Sequence, residues 1–121
     1  MTERISEAEW QVMEILWAHG PLTAQAAAAQ LAATAWTLAT VKTLLSRLAA
    51  KGAVTTTEDG RRFLYAPAVA RADIAAGESR RLVDRLFGGR ATPLVAHLAE
   101  RGELSNADIA ELEALIRELK Q

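Results

Sequence analysis

The sequence predicts a mostly α-helical fold carrying one small β-hairpin, with a further run of helices after it. Three observations carry this reading. Polar cap residues repeatedly precede apolar stripes at three-four spacing. One β-branched run turns back on itself through a glycine. Everything beyond Pro67 returns to helical periodicity.

The first helix opens on Ser6-Glu7-Ala8-Glu9, a capping box in which the Ser6 hydroxyl accepts from the Glu9 amide and the Glu9 carboxylate accepts from the Ser6 amide. Ile5 and Trp10 occupy the flanking staple positions. Trp10, Val12, Met13, Leu16 and Trp17 form its apolar stripe, and His19-Gly20-Pro21 ends it. Thr23 caps a second, short helix reaching Leu31. Its alanine run combines high helix propensity with close packing, and its lack of charge makes it a poor phosphate reader.

Trp36-Thr37 repeats the entry pattern, with Thr37 as cap and Trp36 facing Val41. The third helix, TLATVKTLLSRLAAKG, sets Val41, Leu44, Leu45 and Leu48 on one face. Thr40, Lys42, Thr43, Arg47 and Lys51 fall largely elsewhere, and Gly52 ends it. Ala53 to Thr57 reads as a strand, Glu58-Asp59-Gly60 as a turn, and Arg61 to Tyr65 as the returning strand before Pro67. Three helices and then a hairpin is the order of a winged helix-turn-helix, a more specific signal than any of its parts.

Three more helices are expected over about 70–87, 91–101 and 105–120, broken at Gly88-Gly89 and at Gly102. In the last, Ile109, Leu112, Ile116 and Leu119 follow the narrow seam of helix pairing, behind a Ser105 cap. Short amphipathic helices of this kind seldom build a core alone. They fold back on the first domain or pair with another copy. The division expected is a winged-helix DNA-binding domain over 1–67 and a three-helix dimerisation region over 68–121.

The chain has 121 residues, half of them apolar, which suits one globular domain with an appended oligomerisation element. It contains no cysteine, which removes disulfides, thiolate zinc sites and cysteine nucleophiles and fits a reducing compartment. No apolar run is long enough for a membrane span, and the acid-bearing N-terminus lacks the pattern of a signal peptide. The expectation is a cytoplasmic protein without direct membrane association. The net charge of −1 argues against nucleic acid, but its distribution does not. Residues 1–35 carry −3, residues 68–121 carry −1, and residues 36–67 carry +3 from Lys42, Arg47, Lys51, Arg61 and Arg62 against Glu58 and Asp59. For phosphate, the local field matters more than the total.

No catalytic constellation is present. His19 and His97 are far apart, the serines sit in no nucleophile elbow, and Gly88-Gly89 lacks the strand and glycine pattern of a phosphate loop. No enzyme activity, metal or cofactor is expected. Among the bases, Lys42 and Thr43 lie in the N-terminal half of the third helix, the part that reaches base edges in this architecture. Arg61 and Arg62 suit phosphate or minor-groove contact, although exposed arginines at turns are common. Arg47 reads equally as a structural ion-pair residue. A winged-helix module using the same basic face for an acidic protein is the alternative reading.

ISEAEWQVMEILW, TVKTLLSRLAAKG, LVDRLFGG and LAERGELSNADIAELEALI, in that order across nearly the whole chain, resemble the penicillinase repressor family. The likeness is closer to its penicillinase and methicillin-resistance branch than to its copper-responsive one. The resemblance implies a homodimer whose heads bind a palindromic operator and whose C-terminal helices intertwine, silencing β-lactamase or related resistance genes. It also implies release by proteolysis in the C-terminal region, set off by a membrane-bound sensor metalloprotease. By position, Thr40, Lys42 and Thr43 would face the groove, Arg47 would be the family's arginine, and Gly60 to Tyr65 would be the wing. The copper branch senses metal through a cysteine cluster that this chain lacks. Where the penicillinase and methicillin repressors are cut at Asn-Phe, the aligned bond here is His97-Leu98, so a repressor answering a different signal stays open.

Overall fold

The computed structural model describes residues 4–121; Met1, Thr2 and the acid Glu3 lie outside the described residues. Helix α1 (Glu7–His19) starts where the capping box places it: Glu9 N donates to Ser6 Oγ at 3.1 Å, and Ser6 N donates to Glu9 Oε1 at 2.8 Å. Helix α2 (Ala24–Gln30) is capped by Thr23, whose Oγ1 accepts from Ala26 N. A 3-10 turn (Ala32–Thr34) follows, and Ala35 takes a left-handed conformation with φ 62. Helix α3 (Leu38–Ala50) is capped by Thr37. All three cap residues are the ones the sequence predicts.

These helices enclose one core. Val12, Met13 and Leu16 of α1 meet Val41, Leu45 and Leu48 of α3, all without solvent exposure, while Ala27 of α2 wedges between with none to spare. The alanine run is therefore a close-packed helix. Each buried leucine contributes roughly 1.5–3 kcal/mol relative to exposure.

Strands β1 (Val54–Asp59) and β2 (Arg62–Pro67) pair antiparallel, from Val54 opposite Pro67 to Asp59 opposite Arg62. The expected turn at Glu58-Asp59-Gly60 shifts by one residue. Glu58 and Asp59 remain in β1, and Gly60-Arg61 form a two-residue turn with Gly60 at φ 64. The reason is twist: a two-residue hairpin turn needs positive φ at its first central position, and glycine supplies it there. Arg61 thus sits at the hairpin tip. Leu22 adds a single bridge to Tyr65, with Tyr65 N donating to Leu22 O at 2.8 Å and Leu22 N to Tyr65 O at 3.0 Å.

Beyond the hairpin, Val69 and Ile74 pack on the same core. Trp17 Nε1 donates to Val69 O at 2.9 Å. Arg71 pairs with Glu14 at 2.6 Å, with its guanidinium 5.3 Å from the centre of the Trp10 ring. Trp10 and Trp17 themselves meet edge to face, 5.2 Å apart. Accordingly the first compact unit runs to Ala75 and the second over Ala76–Gln121, a boundary beyond the 67/68 division expected from the sequence.

Helices α4 (Arg71–Phe87), α5 (Ala91–Glu100) and α6 (Asn106–Leu119) lie close to their expected limits. Arg80 bonds both Asp84 and the Gly89 carbonyl, closing the end of α4. Ser105 and Asp108 form a second capping box at α6. Within α4 to α6, Val83 is the one buried side chain. No helix among the described residues is long and apolar enough to cross a membrane.

Candidate nucleic-acid interface

Helix α3 has two faces. The buried side chains Val41, Leu44, Leu45 and Leu48 hold it to the core, and Ala39, Lys42, Thr43, Ser46 and Arg47 form an exposed stripe at three-four spacing on the other side. Its entry is fixed locally. Thr34 Oγ1 donates to Leu31 O at 2.7 Å and accepts from Trp36 N at 3.1 Å, which sets the turn between α2 and α3. Thr37 Oγ1 accepts from Thr40 N at 3.1 Å and also meets Thr40 Oγ1 at 3.1 Å.

The polar groups on the stripe differ in what they offer. Thr43 Oγ1 donates its proton to Ala39 O at 3.0 Å, so the hydroxyl is left with lone pairs to accept with. The Lys42 ammonium presents donors only. Among the described residues, Lys42, Arg47 and Arg61 have no carboxylate partner. Arg62 lies 3.5 Å from Asp59 with both side chains largely exposed, a weak pairing.

An open cleft of about 340 Å³ joins the helices to the hairpin, lined by Thr23, Ala24, Gln25, Lys42, Arg61, Arg62, Phe63 and Tyr65. It brings three of the expected residues, Lys42, Arg61 and Arg62, to one surface. Thr40, Thr43 and Arg47 continue along α3. Gln25 and Phe63, the latter 49% exposed, also belong to this surface. Sequence reasoning missed both: Gln25 sits in an alanine run without charge, and Phe63 in a strand pattern where an aromatic reads as core. Ser46 lies on the same exposed stripe, and its spacing of four and three from Lys42 and Thr43 is the sequence signal for it.

Lys51 does not belong to this surface. Its Nζ sits 2.6 Å from Glu9 Oε1 and 2.8 Å from the Arg4 carbonyl, with side-chain exposures of 20% for Lys51 and 2% for Glu9. Burial alone would raise the Glu9 pKa; hydrogen bonds from Lys51 and Ser6 and the Lys51 charge outweigh it and hold the carboxyl below its ordinary value. Lys51, grouped with the DNA-binding candidates by its place on the third helix, here gives its charge to a buried carboxylate. Oε2 of Glu9 has no hydrogen-bond partner among the described residues, so Lys51 and the Ser6 amide both meet the carboxylate at Oε1.

Known proteins resemble this chain along nearly its full length. The model of the penicillinase repressor family matches residues 5–118. The penicillinase repressor of Bacillus licheniformis is 31% identical over 97% of this chain and 92% of its own length. The methicillin resistance regulatory protein MecI of Staphylococcus aureus is 30% identical over 95% of this chain and 94% of its own. Among solved structures, the DNA-binding domain of the repressor BlaI superposes with a TM-score of 0.54 at 34% identity, covering 60% of this chain and 93% of that one. The monomeric form of B. licheniformis BlaI in complex with the blaP half-operator superposes with a TM-score of 0.52 at 34% identity, covering 60% and 90%.

Proposed function

Since the chain belongs to the penicillinase repressor family, we propose that it is a homodimeric transcriptional repressor that binds palindromic operator DNA through α3 and the hairpin. As a member of that family it is a regulator and not an enzyme. The observation that carries the reading is the exposed stripe of α3, which continues into the cationic cleft at Lys42, Arg61 and Arg62. The relative solved with its half-operator supports DNA as the ligand.

In this reading Lys42 and Thr43 meet base edges, with Thr40 and Ser46 beside them. Lys42 can donate to guanine O6 or N7, and Thr43 can accept from an exocyclic amine or set its methyl against thymine. Arg47, Arg61 and Arg62 contact phosphate and place the head without reading sequence. Dimerisation falls to residues 76–121, with Ile109, Leu112, Ile116 and Leu119 on the pairing face. The genes controlled are β-lactamase or related resistance genes, by the names of the relatives.

Derepression is proposed to follow cleavage at His97-Leu98 by a membrane sensor metalloprotease acting in the cytoplasm. That bond lies inside α5, with His97 exposed and Leu98 half-buried, so α5 must open locally before it is cut. The deciding experiment is a selection from randomised duplexes followed by titration across salt concentrations. A repressor gives one palindromic consensus, with affinity falling steeply as salt rises. Retention of no consensus, with equal binding to all duplexes, would overturn the assignment.

A further inference from the structure

Among the described residues of the first unit, Phe63 is the one large apolar side chain left exposed, at 49%. Tyr65, two residues on, packs against the core; Phe63 does not. Its partner across the ladder is Glu58, which gives the ring no apolar cover, and no other ring lies against it among the described residues. A single exposed apolar side chain is ordinary by itself. The surroundings of this one are not.

Phe63 lines the cleft between the hairpin and the helices together with Lys42, Arg61 and Arg62, and no acid lines it among the described residues. Arg61, at the hairpin tip, stands two residues before the ring, about 7 Å along an extended chain. Two residues the other way the hairpin is pinned: Tyr65 N donates to Leu22 O at 2.8 Å, and Leu22 N donates to Tyr65 O at 3.0 Å. The backbone carrying Phe63 is therefore set before anything binds, which lowers the ordering cost of a contact made there.

We propose that Phe63 packs its ring against a deoxyribose of the operator backbone, beside the phosphate that Arg61 holds. The proposal deepens the DNA-binding reading above and rests on it, but it needs no dimer. The lining names the occupant. Cations in the cleft take anions, and an uncharged ring among them takes an apolar surface joined to those anions. The sugar-phosphate backbone has that alternation. The ring carries no donor or acceptor for a base edge, so its contact adds affinity common to all sequences. Being apolar, it also displaces no counterion from the DNA, which separates its contribution from that of the arginines.

The test uses the full chain and a single half-site taken from the consensus recovered by selection from randomised duplexes. Affinity is measured across a salt series for that half-site and for versions with each base pair replaced in turn. Phe63→Ala is expected to lose about tenfold on all of them, with the slope of log affinity against log salt unchanged. Phe63→Leu, which keeps apolar bulk, should stay within about threefold of the unsubstituted protein. Arg61→Ala should instead flatten the slope by about one. Unchanged affinity for Phe63→Ala would overturn the contact. So would a flattened slope, because a hairpin loosened by the substitution would displace Arg61 and cost a phosphate contact. A loss that disappears when one particular base pair is replaced would mean that the ring meets that base, a thymine methyl for example, and not the sugar. If the unsubstituted protein yields no consensus and no salt-dependent affinity, the DNA-binding reading falls first and the ring contact with it.

Discussion

Lys42 and Thr43 are neighbours on the exposed stripe of α3, and both are expected to contribute to base recognition. Lys42→Ala and Thr43→Ala should each cost about 1–3 kcal/mol on the cognate site and much less on random DNA. Arg61→Ala, at the hairpin tip, should weaken both alike. Competition titrations at fixed salt decide; equal losses on both DNAs for Lys42→Ala would remove it from the base-reading set. Lys51 has a different consequence. Because the folded pKa of Glu9 is lowered, its stabilisation is present above the unfolded carboxyl value and is lost as pH falls through the folded one. Lys51→Met is therefore expected to destabilise by about 2–4 kcal/mol at neutral pH, and the deficit should shrink in acid as Glu9 protonates. Denaturant unfolding across pH measures this, and a deficit independent of pH would mean that the carboxylate is not the cause. Ala35→Gly should stabilise by about 1 kcal/mol, since a Cβ at φ 62 is strained, and a thermal melt reads it. The sequence revealed the caps at Ser6, Thr23, Thr37 and Ser105 because capping is local. It hid the Glu9–Lys51 pair because the two residues are 42 positions apart and no pattern links them.

The helices were legible to within a residue or so, since apolar periodicity and caps mark both their existence and their limits. The hairpin was legible as an element, but its turn was displaced by one residue, because Glu58-Asp59-Gly60 and Gly60-Arg61 both contain the glycine that a turn needs. The Leu22–Tyr65 bridge carried no signal, being a single residue pair from distant segments. The compact unit runs past the expected division at residue 67 for a similar reason. Pro67 ends the strand pattern, but Val69, Arg71 and Ile74 still serve the head through Trp17, Glu14 and the core. A fragment ending at Ala75 should accordingly be a folded monomer, whereas one ending at Pro67 should be less stable. The missing Trp17 hydrogen bond alone accounts for about 0.5–1.5 kcal/mol, and lost burial adds to it. Comparison of the two by thermal melts and tryptophan fluorescence checks this, and equal stability would return the boundary to residue 67.

At the scale of the whole molecule, the second unit stands out for what it leaves uncovered. Leu115, Ile116 and Leu119 of α6 are 56%, 52% and 84% exposed, Ile109 is 44% exposed, and Leu86 of α4 is 59% exposed. The seam predicted from Ile109, Leu112, Ile116 and Leu119 is thus mostly open to solvent in the single chain, and Leu112 is its one half-buried member. Ile116→Asp is expected to yield a monomer by sedimentation and to lower affinity for the full palindrome by about two to four orders of magnitude, leaving half-site binding unchanged. Persistence of the dimer would move the pairing face elsewhere. The scarcity of buried side chains in α4 to α6 then has a consequence for gene dosage. Where a second copy supplies most of a unit's core, assembly and folding share one equilibrium, and the population of competent repressor depends on chain concentration. Below the dimer dissociation constant that population grows as the square of the amount synthesised. Halving expression should then cut the dimer population by about fourfold, and with it the occupancy of an unsaturated operator, which gives the controlled promoter a threshold in repressor supply.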